Sequence, residues 1–333
     1  MENLKVGQVG VANFGSHRRK EMGVAGCFEI LALCDRNEAA LKQATEEEAA
    51  EAYTDFDAML EHPGLEAIVI STGADSHAPF AIAAMKKGLH VFIEKPLCCN
   101  MEEIEALRQV SSDTGRIVGV GHSYCNSNAQ LMLAKDYIEN DTLGTIVSFE
   151  YNSSHSGGLV IQSGDWRGMK DRNPGGMLFQ CGVHALHDLA FLFGPASSLN
   201  AMMRYDAHSG TETADAANVL LGYDSGLVGT LSCYHITGYN HSFRIFGTKG
   251  NLYMNTHTKE TLFQERKENE VETPVPVELP KLANTNSHDN LLSWFDGIRK
   301  GTTVYPGLED GINAVLPVFA AEESDNSGQR INL

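Results

Sequence analysis

The stretch VGQVGVANFG, residues 6–15, decides the fold. Residues 6–11 form a short apolar run that reads as a strand, and residues 14–26 carry helical patterning. Between them, Gly10-Val11-Ala12-Asn13-Phe14-Gly15 follows the spacing G-x-A-x-x-G. Gly10 permits the tight turn, and Gly15 lets the helix pack close to the strand. The helix start then offers free N–H groups and a partial positive charge to a pyrophosphate. Ala12 stands where the backbone of such a loop approaches the phosphates, so one methyl group crowds that contact.

Outward from this loop, short apolar runs alternate with amphipathic stretches. Residues 29–34, 67–71, 90–93 and 117–120 read as strands, and 38–50, 77–87 and 101–114 as helices. The run AIVIS at 67–71 is nearly continuous, as a strand buried on both faces requires. This alternation predicts an α/β unit, a doubly wound Rossmann sheet with right-handed crossovers. Asp35 closes the second strand, 20 residues after Gly15. A carboxylate there accepts hydrogen bonds from the adenosine ribose hydroxyls. It also repels a 2′-phosphate, by about 4 kcal/mol per unit charge at roughly 4 Å in an effective dielectric near 20. NAD is therefore the expected cofactor. Arg36 can offset the repulsion or stack on adenine, which leaves NADP as the less favoured option.

Beyond residue 124 the rhythm changes. Residues 128–139 look helical, and alternating runs follow at 146–152, 218–223, 227–234, 243–246 and 252–254. Asp224-Ser225-Gly226 and Thr248-Lys249-Gly250 read as hairpin turns, and Pro274, Pro276 and Pro280 as an edge or loop. An α+β domain on a mostly antiparallel open sheet is expected. The division expected is a dinucleotide-binding domain at 1–123 and a substrate-binding and oligomerisation domain at 124–333. Helices near 290–300 and 308–324 close the chain, with the terminal helix able to pack back on the first domain.

Composition narrows the function. The 333 residues are 42% hydrophobic and 20% charged, which suits a globular chain with a real core. Forty-three acidic against 25 basic residues give a formal charge of −18, a field that repels nucleic acid. No apolar run reaches the roughly 18 residues of a membrane helix. Residues 1–6 show no basic region leading into an apolar stretch, so no secretory leader is expected. Seven cysteines without a C-x-x-C pair suit a reduced, cytoplasmic protein, and the adjacent Cys98 and Cys99 read as packed thiols.

Glu94-Lys95-Pro96 directly follows the strand at 90–93, at the sheet edge where open α/β sheets bind ligands. A lysine held there beside a cofactor can orient a hydroxyl and lower its pKa. The bond between Lys95 and Pro96 is a candidate cis peptide.

The ordered set of the glycine loop, Asp35, Ser71-Thr72-Gly73 with His77, and GLHVFIEKPL at 88–97 resembles the Gfo/Idh/MocA oxidoreductases. These are NAD(P)-dependent dehydrogenases of sugars, cyclitols and related polyols. The resemblance continues through Gly144-Thr145-Ile146-Val147, Asp165-Trp166-Arg167, Gly175-Gly176-Met177-Leu178, Gly182-Val183-His184 and Phe246-Gly247-Thr248-Lys249-Gly250. It implies that Lys95 is the catalytic lysine. It also implies a D-x-G-x-H-x-x-D segment, which here is Gln180-Cys181-Gly182-Val183-His184-Ala185-Leu186-His187. His184 falls on the family's catalytic histidine, while Gln180 and His187 replace both aspartates. Gln180 can hydrogen-bond a hydroxyl but cannot ionise, so the site loses a carboxylate.

Oxidation of a secondary alcohol needs a hydride acceptor and a proton acceptor, and histidine suits the second task near neutral pH. His184 is expected to be the general base, Lys95 to orient the substrate oxygen, and Gln180 to bind a neighbouring hydroxyl. Expected cofactor contacts are Gly10, Ala12, Asn13, Phe14, Gly15, Asp35, Arg36, Ser71, Thr72, Gly73, His77, Glu94, Lys95, Trp166 and Arg167. Expected substrate contacts, besides Lys95, Gln180 and His184, are His122, Tyr124, His155, Asp165 and His187. His122 and Tyr124 read equally well as structural polar residues, Trp166 as core, and His187 as a locally bonded helix residue. His184, His187 and Asp188 share helical spacing but lack a further fixed ligand, so no metal is expected. The substrate would be a small polyhydroxylated molecule. An NAD-assisted glycoside hydrolase and a non-catalytic nucleotide- or sugar-binding regulator are the alternatives. An open sheet must cover its outer face, which predicts a homodimer or homotetramer.

Overall fold

Runs of apolar residues become the strands β1 (Leu4–Val9), β2 (Phe28–Cys34), β3 (Glu51–Tyr53), β4 (Ala67–Ile70), β5 (His90–Ile93) and β6 (Val118–Val120) in the computed structural model. It describes every residue except 163, 209, 269 and 283–285. The six strands form one parallel sheet in the order β3-β2-β1-β4-β5-β6. All four residues of β4 are buried, which is why its sequence shows no alternation. The crossover helices are α1 (Phe14–Ala25), α2 (Glu38–Glu48), α3 (Phe56–Leu60), α4 (Ala74–Lys86) and α5 (Met101–Thr114). Short polar side chains start three of them. Asn37, Asp55 and Asn100 accept from the backbone N–H groups of Ala40, Ala58 and Glu103. Helix α4 begins three residues earlier than the sequence pattern predicts, because the extended Gly73 turns the chain directly into it.

The chain divides into two compact units, Met1–Tyr124 with Asn286–Ile312, and Cys125–Thr285 with Asn313–Leu333. A linear division at 123/124 would leave residues 286–312 in the second domain. They cluster with the first unit because α8 (Asp289–Lys300) is amphipathic. Its Leu291, Trp294 and Phe295 bury one face against Leu4, Val6, Val69 and Phe92 of the parallel sheet.

The second unit contains α6 (Ala129–Glu139), β7 (Ile146–Ser154), α7 (Val183–Phe193), β8 (Ser198–Arg204), β9 (Ala216–Gly222), β10 (Val228–Tyr234), β11 (Asn240–Gly247), β12 (Gly250–Asn255), β13 (Thr261–Glu265), β14 (Val275–Pro276) and β15 (Ile331–Asn332). The helix α9 (Leu308–Ser327) precedes β15. The strands form a nine-stranded sheet in the order β14-β13-β12-β11-β7-β10-β9-β8-β15. It is antiparallel except between β7 and β10. Buried and exposed residues alternate along β9 and β10, as a sheet covered on one face requires. On the covered face Phe149 stacks on Phe193 of α7 at 5.4 Å. Gly226, at a φ of 85°, makes the turn between β9 and β10 that the sequence predicts. Pro276 lies on the edge strand β14, where a missing N–H costs no ladder bond.

Candidate active site

In the first unit the C-terminal ends of the strands carry the expected cofactor residues. Gly10 has a φ of 84°, and a Cβ added to it would lie 2.5 Å from the Ser71 carbonyl oxygen. A Cβ on Gly15 would lie 2.1 Å from the Gly10 carbonyl oxygen. Only glycine fits either place. The sequence reading missed the residue that shapes this loop, the buried Gln8 of β1. Its Nε2 donates to the carbonyl oxygens of Gly10 and Gly15, both at 3.0 Å. Arg19 donates to the Val11 carbonyl at 2.6 Å. The loop's carbonyls are thus held toward the protein, and no side chain caps the start of α1. Its N-terminal N–H groups therefore suit an anion.

Asp35 is positioned by two backbone donors. Its Oδ2 accepts from Val11 N at 2.8 Å and its Oδ1 from Asn37 N at 2.9 Å. Each oxygen retains a lone pair for a ribose hydroxyl. Arg36 is exposed beside it. A cradle open only to glycine, an uncapped helix start and an anchored carboxylate together fit a dinucleotide.

Lys95 follows β5 and is half-buried, and the Lys95–Pro96 peptide is cis. Three further residues of the expected set are buried. Glu94 is buried, and its Oε1 accepts from Arg18 Nε at 2.7 Å. Burial raises its pKa, and the Arg18 charge opposes that shift. A Cβ on Gly121 would lie 2.6 Å from Glu94 Oε2, so the strand after β5 passes tightly over this carboxylate. His77 is also buried, which lowers its pKa. Its ring lies 2.7 Å from the Pro96 carbonyl and 3.1 Å from that of Thr72, and it braces the 71–73 turn against the lysine turn. His122 is buried at the end of β6, where its carbonyl accepts from Asn290 at 2.9 Å. Tyr124 is half-buried, edge-on to Tyr305 at 5.6 Å.

In the second unit the decisive segment is a single π-helical turn, Leu178–Gly182, running straight into α7. Such turns insert an extra residue and re-aim side chains. A Cβ on Gly182 would lie 2.6 Å from Leu178 Cδ1 and 3.0 Å from Cys233 Sγ, so a larger residue there would have to displace the Leu178 side chain. Gln180 and His184 are half-buried, while His187 is buried in the helix. His155, just after β7, joins this segment. Its Nε2 lies 3.2 Å from Cys181 Sγ. Asp165, Trp166 and Arg167 form a separate turn. Asp165 accepts from Arg167 N at 3.0 Å, and the Arg167 guanidinium lies 4.4 Å from the Trp166 ring centroid. Trp166 is half-buried and is not core.

Asp188, four residues after His184 on α7, accepts from Tyr151 Oη at 2.9 Å and from Cys125 Sγ at 3.7 Å. Burial pushes its pKa from 3.8 up to about 7, against the two hydrogen bonds. A raised folded-state pKa favours folding most at low pH, and that contribution is lost as pH rises from about 4 through about 7. Wild type should therefore lose stability relative to Asp188→Asn between pH 4 and 8, by at most about 4 kcal/mol. Denaturant unfolding of both proteins across that range checks it, and a pH-independent difference refutes it. Among the described residues no group of three or more His, Cys, Asp or Glu side chains is arranged to hold a metal ion. Among them, too, no helix is long and apolar enough to cross a membrane.

Residues 4–122 match the model of an oxidoreductase family's NAD-binding Rossmann fold, and residues 135–333 match that family's C-terminal alpha/beta domain. The chain belongs to the Gfo/Idh/MocA oxidoreductases. It is similar to a myo-inositol 2-dehydrogenase of Thermotoga maritima, at 20% identity over 99% of this chain and 98% of that protein. It is also similar to a levoglucosan dehydrogenase of Pseudarthrobacter phenanthrenivorans, at 26% identity over 79% and 76%. A solved levoglucosan dehydrogenase in complex with NADH and L-sorbose superimposes with a TM-score of 0.85, at 21% identity over 99% and 98%. This chain is an NAD(P)-dependent oxidoreductase acting on CH–OH groups, with an NAD-binding Rossmann domain. Gln180 and His187 carry no carboxylate, and His187 is buried.

Proposed function

We propose that this oxidoreductase oxidises a secondary hydroxyl of a sugar, sugar acid or cyclitol, with His184 as general base. The observation that carries it is Lys95 at the C-terminal end of β5, two strands from the β1 end that bears the glycine loop of an NAD-binding unit. The names of the relatives support the substrate class. NAD, when bound, accepts the hydride. The Lys95 ammonium donates a hydrogen bond to the substrate oxygen and stabilises the negative charge that develops there. His184 takes the hydroxyl proton on its imidazole. Gln180 holds the neighbouring hydroxyl through its amide and leaves the proton transfer to His184.

Formation of NADH across a panel of sugars, sugar acids and inositols tests the activity. Turnover is expected on at least one compound, and Lys95→Ala should lower it by roughly 100-fold or more. NADH binding without turnover over the whole panel would support a binding regulator instead. Release of a sugar with no net NADH would support an NAD-assisted glycoside hydrolase. We also propose that the exposed Met202, Leu220 and Val228 of the open sheet face are covered by a second copy of the chain, in a homodimer or homotetramer. Light scattering that finds a monomer would exclude this. None of the seven cysteines is in a disulfide, which suits a cytoplasmic setting.

A further inference from the structure

At one end of the second unit's sheet, five rings gather that the hydride step does not use. His155 follows β7, His235 follows β10, Tyr239 lies between β10 and β11, His241 is on β11, and His257 follows β12. Three of the rings, those of His155, Tyr239 and His241, run nearly parallel. His155 and His241 lie 6.5 Å apart at 9°. Tyr239 lies 5.7 Å from His155 at 29° and 5.4 Å from His241 at 22°. His257 extends the row, 5.6 Å from Tyr239 and 6.3 Å from His241. His235 stands edge-on to His155, 6.0 Å away at 72°. Two glycines make room for the row. A Cβ on Gly157 would lie 2.5 Å from His155 Cε1, and one on Gly158 2.7 Å from His235 Cγ.

The row starts at the proposed catalytic segment. Nδ1 of His155 accepts from Gly157 N at 2.8 Å, so its Nε2 carries the proton and donates to Cys181 Sγ, beside Gln180. From His155 the rings follow in steps of 6.5 Å to His241 and 6.3 Å to His257. The row's outer member, Tyr239, is 68% exposed. Burial lowers the pKa of His155, and burial followed by repulsion from neighbouring imidazoles lowers those of His235, to about 4, and of His241. Around His235, Asp215 opposes the shift, while His208 and Arg167 add to it. The π faces of such rings attract C–H groups.

We infer that His155, Tyr239, His241 and His257 form a platform for the C–H face of a second sugar ring, so that the enzyme takes a substrate of two linked rings, a disaccharide or glycoside. The inference rests on the dehydrogenase proposed above, because it places the oxidised ring at Gln180 and His184. Hydroxyl groups of the second ring point away from the platform to water, so the linkage and the ring face, rather than individual hydroxyls, are what the row selects.

Saturation-transfer NMR on the full chain with NADH bound tests it, with glucose, myo-inositol, cellobiose, maltose and trehalose as probes. At least one disaccharide should receive saturation on the C–H protons of both rings. Tyr239→Ala should weaken binding of that disaccharide roughly fivefold to tenfold and that of glucose less than twofold, and Tyr239→Phe, which keeps the ring, should restore it. Equal effects on one-ring and two-ring probes, or no two-ring saturation with any disaccharide, would overturn the platform. The measurement reads binding without turnover. A protein that oxidises no alcohol yet shows the Tyr239-dependent second-ring contact therefore loses the dehydrogenase and keeps the platform, and the reverse result does the opposite.

Discussion

His184→Ala should lower kcat by roughly 10²–10⁴-fold and leave NADH affinity within about twofold. The imidazole stands in the first turn of α7, directly after the π-helical turn. It is half-buried, so its removal leaves no large cavity, and alanine is a better helix former than histidine. The loss should therefore fall on proton transfer and not on folding. A pH profile separates the two. Wild-type kcat/KM should rise with pH as a base deprotonates, and that rise should disappear in the variant. Gln180→Ala should act differently, raising KM more than it lowers kcat, because an amide that binds a neighbouring hydroxyl contributes alike to ground and transition states. Unchanged turnover of a confirmed substrate by His184→Ala would remove the general-base assignment.

Trp294→Ala should destabilise the first unit by about 3–5 kcal/mol. Trp294 has no exposed surface and lies on α8. Its ring stacks 6.1 Å from Phe28 and lies 5.5 Å from Phe92, neighbours on β2 and β5. Gly119 passes so close that a Cβ there would be 2.8 Å from the indole. A packed site bounded by strand backbone cannot collapse to fill the space the indole leaves. Thermal unfolding should show the midpoint falling by roughly 10 °C, partly recovered by saturating NADH, which binds only the folded unit. A fall below about 2 °C would mean that α8 does not complete this core.

Much of the parallel unit is legible along the chain because its signals are local. Ala67–Ile70 is apolar throughout since both faces of β4 are covered. Gly10 and Gly15 are spaced for one turn and one close approach, and Asp35 ends the adjacent strand. The alternation along Ala216–Gly222 and Val228–Tyr234 likewise reports a sheet with one covered face. The place of Lys95 after β5 was legible because the backbone alone sets it. Burial was not legible where a distant partner decides it. Glu94 and His77 carry the right chemistry at the right edge, yet Arg18 and the Thr72 and Pro96 carbonyls hold them inside.

Periodicity, glycine spacing and strand-end position, all properties of neighbouring residues, thus determined the two sheet types, the glycine loop and the place of Lys95 after β5. Tertiary structure alone decided that β7 runs parallel to β10, that Gln8 shapes the loop before α1, that α8 completes the first core, and that His155 meets Cys181 at the start of a row of rings. Each of those depends on contacts between segments far apart in the chain. Such contacts form only when burial and hydrogen bonding outweigh the entropy of bringing the segments together, and local residue patterns do not encode that balance.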